Sequence, residues 1–150
     1  MLIYKNGDIL KATENLIAHQ VNVQGVFGGG LALQIAKQYP NVEKEYQKAC
    51  VGMKNDYQVL KGQYIMVNIG DKDFIANCFT QKPNFDTDYV ALKDCFIKLL
   101  KLCKGINLTI AVPYGYGCGI SNGNWDEVET ILRSLSEIYG VDISVYKLEK

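Results

Sequence analysis

The stretch Ala18-His-Gln-Val-Asn-Val-Gln-Gly-Val-Phe-Gly-Gly-Gly-Leu-Ala-Leu-Gln-Ile-Ala-Lys-Gln-Tyr-Pro40 joins a strand-like run to a helix-like run through a glycine-rich loop. Residues 16–21 form an apolar run of strand length. Leu31, Ile35 and Tyr39 then recur at helical spacing with Ala32 and Ala36 beside them, and Pro40 stops that helix. Three successive glycines weaken any helix they enter. Such a run is useful where backbone must approach a ligand closely. At a helix start it also offers free N–H donors and the positive end of the helix dipole, a seat for phosphate. Read alone, the loop is either that seat or a tight turn with close helix-to-strand packing.

On either side, strand-like and helix-like runs alternate. Residues 2–4 read as a short strand followed by a turn over 5–8, and a second helix is expected over 42–50. Residues 64–67 and 74–79 read as strands of a hairpin, with turn chemistry over 68–73. Tyr89, Leu92, Phe96, Leu99, Leu100 and Cys103 form one helical stripe, and the β-branched run 108–112 suits a buried strand. Trp125, Val128, Ile131, Leu132, Leu135 and Ile138 form another stripe. Asn124 is its expected N-cap, Glu127 is placed to complete a capping box, and Gly140 ends it. A strand over 143–146 closes the chain. The alternation predicts an α/β layered domain whose sheet the hairpin makes mixed. Ligands in such sheets collect where loops leave the carboxyl ends of strands.

A second loop of this kind is Pro113-Tyr-Gly-Tyr-Gly-Cys-Gly-Ile-Ser-Asn-Gly123. Its glycines let the backbone curl into a nest of amides, and the last helix begins beside it. Two such loops suit a ligand with two phosphates. Neither carries the Gly-Lys-Ser/Thr ending of a Walker site, and the dinucleotide fingerprint is missing.

Composition narrows the classes further. A length of 150 residues fits one domain, 1–150. Sixteen Lys and Arg balance sixteen Asp and Glu, so no positive field for nonspecific nucleic-acid binding is expected. A modified nucleic acid remains admissible as a substrate. No run approaches the ~20 apolar residues of a membrane span, and no signal peptide is evident, so the reading is cytoplasmic, with a monomer expected. The five cysteines include no Cys-x-x-Cys pair, and His19 is the single histidine. No metal centre or resident cofactor is expected, and a Ser-His-Asp site could be built only on His19.

The sequence resembles the macrodomain family in Asn6-Gly-Asp-Ile-Leu10, Ala18-His-Gln-Val-Asn22, Gly28-Gly-Gly-Leu-Ala-Leu33 and Gly117-Cys-Gly-Ile120, in an order that runs through nearly the whole chain. The resemblance implies a three-layer α/β/α sandwich with a mixed, mostly parallel central sheet, binding ADP-ribose across the sheet's carboxyl edge. It implies that Asp8 accepts from the adenine amino group, aided by the backbone of Ile9, and that Asn22 holds the distal ribose. It places Gly28, Gly29 and Gly30 beside that ribose and the phosphates. Gly117, Cys118, Gly119, Ile120 and Ser121 would wrap the diphosphate with backbone N–H groups, and Tyr146 would pack against adenine. From the residues alone, Asp8 reads equally as a turn or cap residue and Asn22 as a loop stabiliser.

The stretch 19–40, with Cys78-Phe-Thr80 and Trp125, is similar to the branch that hydrolyses ADP-ribose 1″-phosphate. That branch has a histidine three residues before the ribose-binding asparagine, as His19 stands before Asn22. His19 and Asn22 are therefore the candidate catalytic pair, His19 being either a proton-transfer group or a histidine satisfying a backbone carbonyl. The related glycohydrolases use a Lys directly after a Thr. Here Gln81 follows Thr80, Lys82 comes one place late, and Ser121 occupies a position where the protein-directed type needs Asp. Gln cannot act as a base or form a Schiff base. Three readings follow in order: a phosphatase, a non-catalytic ADP-ribose binder, and a de-ADP-ribosylating hydrolase in which Lys82 replaces the displaced lysine.

Overall fold

In a computed structural model, residues 1–27, 29–119 and 121–148 are described. Six strands form one sheet: β1 (Leu2–Asn6), β2 (Leu16–Val21), β3 (Tyr64–Gly70), β4 (Asp73–Phe79), β5 (Ile110–Pro113) and β6 (Ile143–Lys147). Their order is β1-β6-β5-β2-β4-β3. Every neighbouring pair is parallel except the β3–β4 hairpin, so the sheet is mixed and mostly parallel.

Period-two alternation sends successive side chains to opposite faces, which makes three layers. Leu16, Ala18, Ala76, Cys78, Ile110, Val112, Ile143 and Val145 pack against α4 (Tyr89–Ile106) and α5 (Trp125–Tyr139). Ile17, Val21, Ile75, Phe79 and Ala111 pack on the other face, against α1 (Gly30–Gln38), α2 (Pro40–Gly52) and the short α3 (Tyr57–Leu60). None of the helices is long and apolar enough to cross a membrane among the described residues.

Local chemistry explains the boundaries. Pro40 opens α2 at a position where its missing N–H costs nothing. Asp88 caps α4 by accepting from Ala91 N, and α4 ends on Asn107 in the left-handed region. Asn124 caps α5 as expected, accepting from Asp126 N, and Gly140 terminates it. The capping box with Glu127 is not formed: the Asn124 N–H donates to the Tyr89 hydroxyl at 2.8 Å, so α4 supplies the partner. The hairpin is tighter than expected, with strands reaching Gly70 and Asp73. The strand after α4 starts at Ile110, two residues late, because Leu108 N–H still bonds the Cys103 carbonyl of the helix end.

Candidate functional site

Three segments leave the carboxyl ends of adjacent parallel strands: 22–29 after β2, 80–88 after β4 and 114–124 after β5. They enclose a cleft of about 570 Å³, lined by residues of all three and by the first turn of α1. The two glycine loops thus face one cavity, within the size range of small-molecule sites.

From the end of β2 and the first loop come His19, Asn22 and Gly29, with Gly30, Leu31 and Ala32 of α1. Gly29 makes no side-chain cap, so the first-turn amides of α1 carry the unpaired donors of any helix start. Gly28 and Ile120, both expected ligand contacts, lie outside the described residues. Asn22 lines the cleft, but its side chain also braces the loop. Its Oδ1 accepts from Gln24 N (2.9 Å) and the Tyr46 hydroxyl (2.6 Å), while its Nδ2 donates to Val26 O (3.2 Å). One Asn22 N–H remains for a ligand. Phe27 stacks on Tyr46 at 4.7 Å between ring centroids, fixing the loop to α2.

His19 lies beneath the loop, 2% exposed, edge-on to Phe27. Its Nε2 is 2.6 Å from Asn77 Oδ1, the side chain directly across the β2–β4 register. Burial depresses its pKa to about 4, against which the Asn77 bond acts only weakly. The imidazole is therefore neutral at physiological pH. With Nε2–H given to Asn77, Nδ1 is the nitrogen left with a lone pair. Such a ring can accept a proton but cannot serve as the resting acid near pH 7.

In the second loop Gly115, Gly117, Gly119 and Ser121 line the cleft. Gly117 has φ +72°, and a Cβ there would stand 2.8 Å from Thr87 Oγ1. At Gly123 a Cβ would stand 2.2 Å from the Gly117 carbonyl oxygen, so only glycine fits the fold-back closed by the Gly123 N–H to Gly117 O bond of 3.0 Å. Segment 80–88 is joined to this loop by side chains: Gln20 Nε2 donates to Ser121 Oγ (2.9 Å) and Thr87 Oγ1 (3.2 Å), and Thr87 Oγ1 donates to Gly117 O (2.5 Å).

Four residues expected in the ligand set do not line this cavity. Asp8 caps the 3-10 turn Ile9–Lys11, its Oδ1 accepting from Leu10 N at 2.9 Å, and Ile9 is buried in the core. Cys118 turns its thiol back onto the Tyr116 carbonyl. The Tyr146 hydroxyl donates to Glu14 Oε1 at 2.5 Å. Glu14 also takes Lys5 Nζ (2.5 Å) and Ser144 Oγ (2.8 Å). Burial alone would raise the Glu14 carboxyl, but these three partners outweigh it and hold it down at about 2. The link between Tyr146 and the cleft is indirect: its carbonyl accepts from the N–H of Tyr114, which does line the cavity. The sequence reading did not single out Gln20, Asn77, Thr87, Tyr116 or Phe85. Only Gln20, between His19 and Asn22, and Tyr116, inside the second glycine loop, stood in quoted stretches.

No Lys, Arg, Asp or Glu occurs among the described lining residues. Lys82 is exposed and off the cavity. Gln81 does line the cleft, its Nε2 donating to Phe85 O (3.0 Å) and to Ser121 Oγ.

Fold and cleft together define an α/β/α sandwich with a glycine-lined cavity, its described lining free of Lys, Arg, Asp and Glu, at the carboxyl edge of its sheet. The family model for the Macro domain matches residues 18–132, and the chain belongs to that family. A Mycobacterium tuberculosis protein named DNA ADP-ribosyl glycohydrolase is 30% identical over 154 aligned residues, 97% of this chain and 42% of that protein. The chain therefore spans about two-fifths of that relative's length. A Candida glabrata protein named ADP-ribose 1″-phosphate phosphatase is 26% identical over 180 aligned residues, 97% of each. The solved macrodomain of Mycobacterium tuberculosis DarG matches with a TM-score of 0.84 and 30% identity, covering 99% of both chains.

Proposed function

We propose that the cleft binds ADP-ribose derivatives and that the domain hydrolyses ADP-ribose 1″-phosphate to ADP-ribose and phosphate, as a monomer in the cytoplasm. The observation that carries this reading is the meeting of both glycine loops on one cavity beside Asn22 and His19. A diphosphate takes the amides of 117–121 and the first turn of α1, where free N–H groups and the helix dipole favour anions. The distal ribose lies against Gly28 to Gly30 and the remaining Asn22 N–H. Adenine extends towards Asp8, the Ile9 backbone and Tyr146 at the β1–β6 edge.

In the reaction, water adds to phosphorus, the bond from phosphorus to the 1″ oxygen breaks, and that oxygen leaves with the proton that His19 first takes from the attacking water and then returns. Neutral His19 accepts the water's proton, and Asn22 orients the ribose. An imidazole held near pKa 4 is a weak base. Most of the acceleration then comes from positioning and from amides aimed at the phosphoryl oxygens.

The second reading, a de-ADP-ribosylating hydrolase, is favoured by the 30% identity to the protein named DNA ADP-ribosyl glycohydrolase. It would break the bond from the ribose 1″ carbon itself, one bond away from the phosphorus–oxygen bond broken in the phosphatase reading. Against it stands Gln81 in the cleft, with Lys82 off it.

A panel separates the readings: ADP-ribose, its 1″-phosphate, an ADP-ribosylated peptide and an ADP-ribosylated oligonucleotide, with binding and product followed together. The expected outcome is phosphate release from the 1″-phosphate, abolished in Asn22→Ala and reduced in His19→Ala. Binding with no turnover of any member would leave a sequestering module. Release of ADP-ribose from peptide or oligonucleotide, lost in Lys82→Ala, would replace the phosphatase assignment.

A further inference from the structure

Ser121 entered the ligand set through its backbone N–H; the hydrogen-bond directions around it give its side chain a separate role. The Gly117 carbonyl can only accept. Thr87 Oγ1 lies 2.5 Å from it and must spend its single proton there. Thr87 can then only accept from Gln20, so the end of the Gln20 amide facing Thr87 and Ser121 is the nitrogen. The amide oxygen accordingly faces Thr80, whose hydroxyl donates to it at 2.8 Å and in turn accepts from the buried Tyr116 hydroxyl at 2.7 Å. Gln81 is fixed in the same way, because its nitrogen faces the Phe85 carbonyl at 3.0 Å. Its second N–H also goes to Ser121 Oγ.

Ser121 Oγ therefore accepts from two amides, and both of its lone pairs are used. Its own proton has no acceptor among the described residues, yet Ser121 lines the cleft and is 6% exposed. We propose that Ser121 binds the ligand through its side-chain hydroxyl, donating to a phosphoryl oxygen, and that Gln20 and Gln81 are positioning residues that leave it free to do so. This rests on the ADP-ribose reading above. A phosphoryl oxygen is the acceptor because Gly117 and Gly119, whose loop offers backbone amides to an anion, line the cleft with Ser121. A hydrogen bond to a charged group is also stronger than one to a neutral group.

The test is calorimetric titration of ADP-ribose and of ADP into the wild type, Ser121→Ala, Ser121→Thr, Gln20→Met and the Gln20→Met/Ser121→Ala double variant, with thermal unfolding checking each fold. Ser121→Ala is expected to weaken both ligands about tenfold or more, whereas Ser121→Thr, which keeps the hydroxyl, stays within about threefold. In the Gln20→Met background the Ser121→Ala penalty shrinks at least about threefold, because the hydroxyl is no longer held in its donating orientation. Equal affinities of wild type and Ser121→Ala, fully additive losses, or a Ser121→Thr loss as large as that of Ser121→Ala would overturn the proposal. A loss seen with ADP-ribose but not ADP would overturn the phosphoryl assignment. Wild type that binds neither ligand overturns the functional reading along with it, a result distinct from wild type that binds while Ser121→Ala is unchanged.

Discussion

His19 is the one histidine of the chain, so its ionisation can be followed without ambiguity. Its folded pKa of about 4 lies below the ordinary 6.5, because burial disfavours the charged ring. Above pH 6.5 neither folded nor unfolded chain holds the proton and the full stability is present. Below 6.5 the unfolded chain takes it up and the folded one does not. Stability then falls by about 1.4 kcal/mol per pH unit until about pH 4, roughly 3 kcal/mol in all. Denaturant titrations across that window should show this slope, and His19→Gln should remove it. Glu14 acts in a lower window. Its folded pKa is held at about 2 against an ordinary 4.5, so its stabilisation is complete above 4.5 and is lost as pH falls towards 2. Glu14→Gln should cost about 1–3 kcal/mol at neutral pH and flatten the acid limb below 4.5. Neither partnership was legible in the sequence. Asn77 is 58 residues from His19 and Ser144 is 130 from Glu14, and only strand pairing and the crossing of the 8–14 segment bring them together. What was legible was that His19 precedes Asn22 in a run leading to the glycine loop.

At the scale of elements, the second glycine loop depends on the fold-back that Gly123 makes onto the Gly117 carbonyl. Gly123→Ala forces a Cβ against the Gly117 carbonyl, and relief requires unfolding the fold-back that joins the loop to α5. A loss of about 1–3 kcal/mol in thermal or denaturant unfolding is expected, together with loss of ADP-ribose binding. At Gly119 an added Cβ meets nothing within 4 Å, so Gly119→Ala should leave stability within about 0.5 kcal/mol. Equal destabilisation by both substitutions would contradict the structural role given to Gly123. The long helices were readable because their apolar stripes recur over three or more turns, as in Leu92, Phe96, Leu99 and Cys103. The four-residue α3 carries too little periodicity to be seen, although Asp56 caps it in an ordinary way. The missing capping box has the same origin: Tyr89 reaches Asn124 only once α4 and α5 have packed.

Across the whole molecule, three loops from neighbouring strands β2, β4 and β5 surround a cavity whose described lining has no Lys, Arg, Asp or Glu. The chain as a whole is also electrically balanced, with sixteen charges of each sign. A diphosphate held this way is gripped by oriented amides at short range and is not drawn in by a long-range field. Raising salt from about 0.05 to about 0.5 M should therefore change ADP-ribose affinity by less than about threefold. A tenfold fall would point to a charged contact outside the described lining. The convergence of the loops was predictable from their places after strands. The polar network that locks them together was not, because Gln20, Thr80, Gln81, Thr87 and Ser121 share no sequence pattern.

Amide chemical shifts recorded while ADP-ribose is titrated into isotopically labelled protein would test the shared cleft most directly. The expected result is that resonances of residues 22–32 and 114–123 move together with a single saturating midpoint. Shifts restricted to one of the two loops, or appearing only on the α2 or α4 surfaces, would mean that the glycine loops do not form one phosphate site.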